Sequence, residues 1–99
     1  MALVWTPEAI KDRDDIYDFI EPENPLAALA LDELISEKAH WLLHHPEGGK
    51  PGRVPATREL VVHPNYILIY ELASEQIRIL NVVHAARQWP PSRTGDHSL

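Results

Sequence analysis

Between Arg58 and Trp89 the chain reads RELVVHPNYILIYELASEQIRILNVVHAARQW, and nothing else in its 99 residues limits the fold as strongly. Apolar and β-branched residues dominate three runs, Glu59 to His63, Tyr66 to Leu72 and Ile77 to Val83. Such runs favour strands, and the separators Pro64-Asn65 and Ala73-Ser74-Glu75-Gln76 are short enough for hairpins, so the stretch predicts a three-strand meander. Side chains alternate across a strand. Tyr66, Leu68, Tyr70 and Leu72 therefore share one face of the middle run, and Ile67, Ile69 and Glu71 share the other. Both faces carry apolar side chains, so each needs a cover. Upstream helices can supply one, and a chain this short leaves the second face open for another polypeptide.

The chain before the meander supplies those helices. Ala2 to Trp5 fits an opening strand, closed by Thr6 as a helix cap and Pro7 in the first turn. To about Ile20, Ile10 with Tyr17 and Ile16 with Ile20 mark an apolar stripe, leaving Lys11, Asp12, Asp14, Asp15 and Asp18 mostly outward. Glu21-Pro22-Glu23 ends this helix, and Asn24-Pro25 caps the next. From Leu26 to about His44, Leu31, Leu34, Ile35, Ala39, Leu42 and Leu43 recur at helical spacing, with Asp32, Glu33, Glu37 and Lys38 off the stripe. The brief connection implies an antiparallel helical hairpin, whose apolar seam would cover one face of the sheet. His45 to Pro55 is a glycine- and proline-rich connector. The expected organisation is one domain over residues 1–90 and a mobile polar tail over 91–99.

Charge and composition restrict the function. The net charge is −6, and the acids concentrate before His45 while the second half is nearly balanced. That distribution disfavours non-specific nucleic-acid binding, although a local basic patch on the sheet is compatible with it. There are no cysteines, which excludes disulfides and thiolate metal sites and suits a cytoplasmic location. No run of about 18 apolar residues suggests a membrane span, and no basic-then-apolar leader opens the chain, so a soluble, unprocessed protein is expected.

Histidine offers the main chemical candidates, because imidazole titrates near neutrality. His40 and His44 lie one helical turn apart but lack the glutamate of the zincin pattern, and a helix-end role for His44 and His45 accounts for them without a metal. No cofactor is expected. His63 and His84 end two strands near Tyr66, Arg58 and Arg87. Cleavage of RNA at a 2′-hydroxyl needs a base, an acid and a cation, and this set could in principle provide them. A histidine at a strand end is equally an ordinary structural residue, and Trp89 equally a packing anchor.

The order of elements, together with VPATRELVVHPNYILIYEL and ILNVVHAARQWP, resembles the ParE branch of the RelE/ParE toxins of type II toxin-antitoxin modules. The resemblance runs from about Val4 to Pro90. It rests on Val54-Pro55, Arg58-Glu59-Leu60, His63-Pro64-Asn65-Tyr66 and the ending Val83 to Pro90, and it extends to the helical half through IYDFIEPENPLAALA. It implies an α+β fold with an N-terminal strand, an antiparallel helical hairpin and a three-strand antiparallel meander. It also implies a growth-arresting toxin neutralised by an antitoxin whose C-terminal segment wraps it as helix and extended chain. The partner-facing residues are then expected to include Arg58, Tyr66, Tyr70, Arg87 and Trp89. ParE members poison DNA gyrase, whereas RelE members cut mRNA on the ribosome. RelE-type nucleases usually start the middle strand with an arginine, where this chain has Ile67, and carry more basic residues. The resemblance together with the acidic balance therefore favours a gyrase inhibitor. The alternative is a ribosome-dependent endoribonuclease using His63, Tyr66, His84, Arg58 and Arg87.

Overall fold

The computed structural model describes residues 1–86 and Trp89. The elements run β1 (Ala2–Trp5), α1 (Pro7–Ile20), α2 (Pro25–Trp41), β2 (Lys50–Pro51), β3 (Thr57–His63), β4 (Tyr66–Ala73) and β5 (Gln76–His84). They form one five-stranded sheet in the order β1-β5-β4-β3-β2, antiparallel except where β1 joins β5. The expected α+β architecture is present, with the meander at its centre. The parallel β1–β5 pairing follows from the helical hairpin, which carries the chain across one face of the sheet before the meander begins.

Both helices start as their caps require. The Thr6 hydroxyl accepts from Ala9 N–H at 3.2 Å, the side-chain Oδ1 of Asn24 accepts from Ala27 N–H at 3.0 Å, and a proline follows each cap. The second helix ends at Trp41 rather than near His44. Beyond Trp41 the amides of Leu43, His44 and His45 bond to carbonyls three residues back, so the chain tightens into a 3₁₀ turn. The hairpin packs Ala9, Leu31, Ile35, Ala39 and Leu42 against Leu68, Tyr70, Ile77, Ile79 and Val82 of the sheet. An Arg13–Asp32 pair at 2.9 Å joins the two helices, and the Arg13 guanidinium lies 4.6 Å from the centre of the Trp5 ring.

Two readings of the helix surfaces need correction. Ile10 does not join the core, and Asp12, expected outward, turns in: one of its carboxylate oxygens accepts from Val82 N–H at 2.9 Å and from Asn81 Nδ2 at 3.0 Å. A carboxylate prefers a strand edge with a free N–H over solvent when the helix holds it within reach.

The second face of the sheet is also less bare than expected. Ile67 and Ile69 are 9% and 1% exposed, and of the apolar residues in β3 and β4 on that face only Val61, at 58%, stays open. Two contacts beside Ile69, at its cross-strand neighbours Glu59 and Asn81, come from the chain itself. The connector turns back so that Arg53 brings its backbone N–H to 3.2 Å and its Nε to 3.4 Å of Glu59, whose side chain is 2% exposed. Trp89 donates from Nε1 to Asn81 Oδ1, the side chain opposite Ile69. Exposed apolar surface lies instead on the helical hairpin, where Phe19 is 82% and Leu26 79% exposed.

Candidate functional site at the open end of the sheet

The β3–β4 hairpin and the end of β5 bring three candidate residues together. Tyr66 stands between two imidazoles, its ring centre 6.0 Å from that of His63 and 5.2 Å, edge-on, from that of His84. The hairpin sets this arrangement. Pro64-Asn65 turns the chain so that His63 pairs with Tyr66, a register shift between Val61 and His63 re-aims the strand end, and Tyr66 pairs across with His84.

Each imidazole is held in the same way. His63 Nδ1 accepts from Asn65 N–H at 3.0 Å, and His84 Nδ1 accepts from Ala86 N–H at 3.1 Å. With Nδ1 acting as acceptor, the neutral ring carries its proton on Nε2 and presents a donor outward. A general base needs a free lone pair there, so activating either ring means giving up its backbone bond.

The remaining candidates are elsewhere. Arg58 and His63 occupy opposite ends of β3, roughly 16 Å apart at about 3.3 Å per residue. The Arg58 guanidinium donates to Gly49 O at 2.7 Å and, more weakly, to Glu47 O at 3.4 Å, so it fixes the connector. Tyr70, expected to face a partner, is wholly buried. Its hydroxyl donates to Pro46 O at 2.8 Å and accepts from Gly49 N–H at 2.9 Å. Residue 49 must be small, since a Cβ there would sit 2.8 Å from the Tyr70 ring. Burial pushes the Tyr70 phenol above its ordinary pKa, only partly countered by the Gly49 hydrogen bond and nearby Arg58. Arg87 lies outside the described residues, as does the expected tail. Trp89 sits half-buried against Asn81.

Tyr66, His84 and Trp89 line a cleft of about 730 Å³ whose other wall is α1, through Asp15, Ile16 and Phe19. Its size suits a peptide side chain or small ligand, and its walls mix apolar and acidic groups. Sequence reasoning missed this wall. Asp15 reads as one of the outward acids of the first helix, and Phe19 falls outside the apolar stripe named for it. A shallower hollow lies at the far end of α2, where the Trp41 and His45 rings stack with centres 4.4 Å apart. Among the described residues no group of three or more His, Cys, Asp or Glu could hold a metal, and no helix is long and apolar enough to cross a membrane. His40 directs Nδ1 to Ser36 O at 2.9 Å, a bond within its own helix.

Known proteins resemble this chain over most of its length. Residues 3–89 match the family model of the ParE toxin of the type II toxin-antitoxin system parDE. A toxin designated Y4kP from Sinorhizobium fredii is 39% identical over 87% of this chain and 90% of its own length. Toxin RelE2 from Caulobacter vibrioides is 36% identical over 86% of this chain and 96% of its own. Among solved structures, a chain of the chromosomal ParDE system from P. aeruginosa superposes with a TM-score of 0.77 at 28% identity, covering 85% of this chain and 95% of that one. A YoeB/ParE toxin from Agrobacterium tumefaciens, at 15% identity and a TM-score of 0.61, shares the fold. The chain belongs to the ParE toxin family and is the toxin of a type II toxin-antitoxin module, a class whose members are paired with an antitoxin.

Proposed function

We propose that this toxin arrests growth in the cytoplasm by binding and trapping DNA gyrase, without making or breaking covalent bonds itself. The observation that carries this reading is the state of the groups that RNA cleavage would need. Both imidazoles have Nδ1 engaged by a backbone N–H, and the one described arginine of the proposed nuclease set is committed to carbonyls at the other end of β3. The acidic balance points the same way, since a protein that follows a transcript through the ribosome gains from cationic surface. Purified toxin added to gyrase and relaxed plasmid is expected to lower supercoiling and to raise the cleaved-complex fraction. Unaltered supercoiling at excess toxin would refute the proposal.

A ribonuclease reading retains one specific support: His84 and Tyr66 open onto a cleft rather than into the core. It requires that His63→Ala or His84→Ala abolish toxicity together with message cleavage. Intact transcripts in cells arrested by the native toxin would remove it.

A further inference from the structure

Three aromatic side chains line the cleft beside α1, and none of them packs on another. Phe19 comes from α1, Tyr66 from the start of β4 and Trp89 from beyond β5. Tyr66 meets imidazoles only, and among the described residues neither Phe19 nor Trp89 stacks on any ring. Trp89 is held by its Nε1–H, which donates to Asn81 Oδ1 at 3.2 Å, and Phe19 is almost bare. The face of an aromatic ring is electronegative, so rings that stand apart around a gap attract a cation.

Asp12 supplies the charge on the cleft wall. Its hydrogen bonds from Val82 N–H and Asn81 Nδ2 both go to Oδ2, and both donors are neutral. They fix the carboxylate in place without cancelling its charge. Among the described residues no ion pair reaches Asp12, and no hydrogen bond reaches its Oδ1. Asp15 lines the same cleft, and its bond to Lys11 is a solvent-exposed pair of the kind that water and salt weaken. Among the described residues that line the cleft there is no lysine or arginine.

We infer that this cleft binds an organic cation, a guanidinium or alkylammonium group seated against the aromatic rings, with its charge toward Asp12 and its methylenes on the apolar wall that includes Ile16 and Val82. The inference rests on the cleft and not on the choice of target. Its volume of about 730 Å³ lies in the range of small-ligand sites and far exceeds what a bare ion fills. A metal ion is poorly served, since among the described residues no group of three or more His, Cys, Asp or Glu could hold one. An anion meets two carboxylates, and a neutral ligand leaves the charge of Asp12 desolvated without a counterion. A guanidinium meets both requirements at once, because it stacks on aromatic faces and pairs with a carboxylate.

Titration of the full-length toxin with agmatine, a guanidinium and an ammonium joined by a butyl chain, tests the site. Calorimetry gives the affinity, and the NMR signals of the Val82 amide and the Asn81 side-chain amide give the place. Agmatine is expected to bind with a Kd of about 1 mM or tighter and to move both signals, while n-butylurea, a neutral counterpart, binds at least about tenfold more weakly. Asp12→Asn keeps an oxygen for Val82 N–H and removes the charge, and is expected to weaken agmatine about tenfold. Phe19→Ser is expected to weaken it about threefold, and because that ring is exposed the variant keeps the test open should Asp12→Asn fold poorly. Nα-acetylarginine amide distinguishes the sources of the cation. Affinity equal to that of agmatine assigns the site to an arginine side chain of a protein, and affinity about tenfold lower assigns it to a free diamine-like cation, with the site itself upheld in both cases. Failure of both probes to bind at about 10 mM overturns the inference. So does binding that survives both substitutions unchanged, or that moves the amides of Asp14 and Asp18 and leaves Val82 still, since general attraction to the acidic helix would then account for it.

Discussion

The two ends of the β3–β4 pair are built from similar residue types and finished in opposite ways. At the connector end, a tyrosine, an arginine and a glutamate are all consumed in closing the fold. Tyr70 and Arg58 hold residues 46–49 against the sheet, and Glu59 is held by Arg53. At the hairpin end, Tyr66 and His84 line a cleft with an almost bare phenylalanine on its other wall, and His63 stands on the other side of Tyr66. The difference shows that polar and aromatic residues in this chain mark stability where the backbone folds back over them and availability where it does not. Residue type alone does not distinguish the two.

Tyr70 should show the largest effect if the connector end is the structural one. Tyr70→Ala removes a buried ring and both of its hydrogen bonds, and is expected to cost about 3–5 kcal/mol in urea denaturation, a large share of the stability of a domain of this size. Tyr70→Phe keeps the ring and orphans Gly49 N–H and Pro46 O, for about 1–3 kcal/mol. A Tyr70→Phe protein as stable as the native one would show that the connector is not held by this hydroxyl.

Arg53→Ala sharpens the same point at smaller magnitude. It deprives the buried Glu59 carboxylate of its charged partner but leaves the backbone N–H of residue 53, so a loss of about 1–2 kcal/mol is expected. Because Arg53 is half exposed, solvent screening limits the effect to that range. Arg53→Lys should recover only part of it, since a lysine cannot reproduce the guanidinium's directed Nε–H.

Alkaline pH tests Tyr70 without a mutation. Its phenol is raised by burial, so the folded state favours the protonated form more than the unfolded chain does. The contribution is fully present below the unfolded value of about 10 and is lost as pH rises through the higher folded value. Urea midpoints should hold steady to about pH 10 and then fall, with a shallower fall for Tyr70→Phe.

How much of this was legible follows from the reach of each cause. The helices and strands announce themselves through local signals: Thr6-Pro7 and Asn24-Pro25 as caps, the alternation of Tyr66 to Leu72, and the Pro64-Asn65 turn. The His63–Tyr66–His84 grouping follows from the two successive hairpins of the meander. What the sequence hides is set by residues far apart along the chain. Asp12 sits in an acidic run that reads as solvated, and only the third dimension brings Val82 N–H to it. Tyr70 reads as one of four alternating side chains, although its hydroxyl is spoken for by a loop 24 residues earlier. Glu59 reads as an ordinary strand carboxylate, because its pairing with Arg53 depends on the connector turning back over β3.

Phe19 closes the comparison with the smallest expected change in stability. Its side chain is 82% exposed, so Phe19→Ser removes little buried area and should move the free toxin's stability by no more than about 0.5 kcal/mol, despite deleting an aromatic ring. The same substitution takes away most of the apolar wall that α1 lends to the cleft, so affinity for a partner seated there should fall by about tenfold or more. The contrast with Tyr70 is the content of the test, because one aromatic is expected to govern folding and the other association. A loss of about 2 kcal/mol in the free toxin on Phe19→Ser would mean that the ring packs against its own chain in solution, and the hairpin end would then be as closed as the connector end.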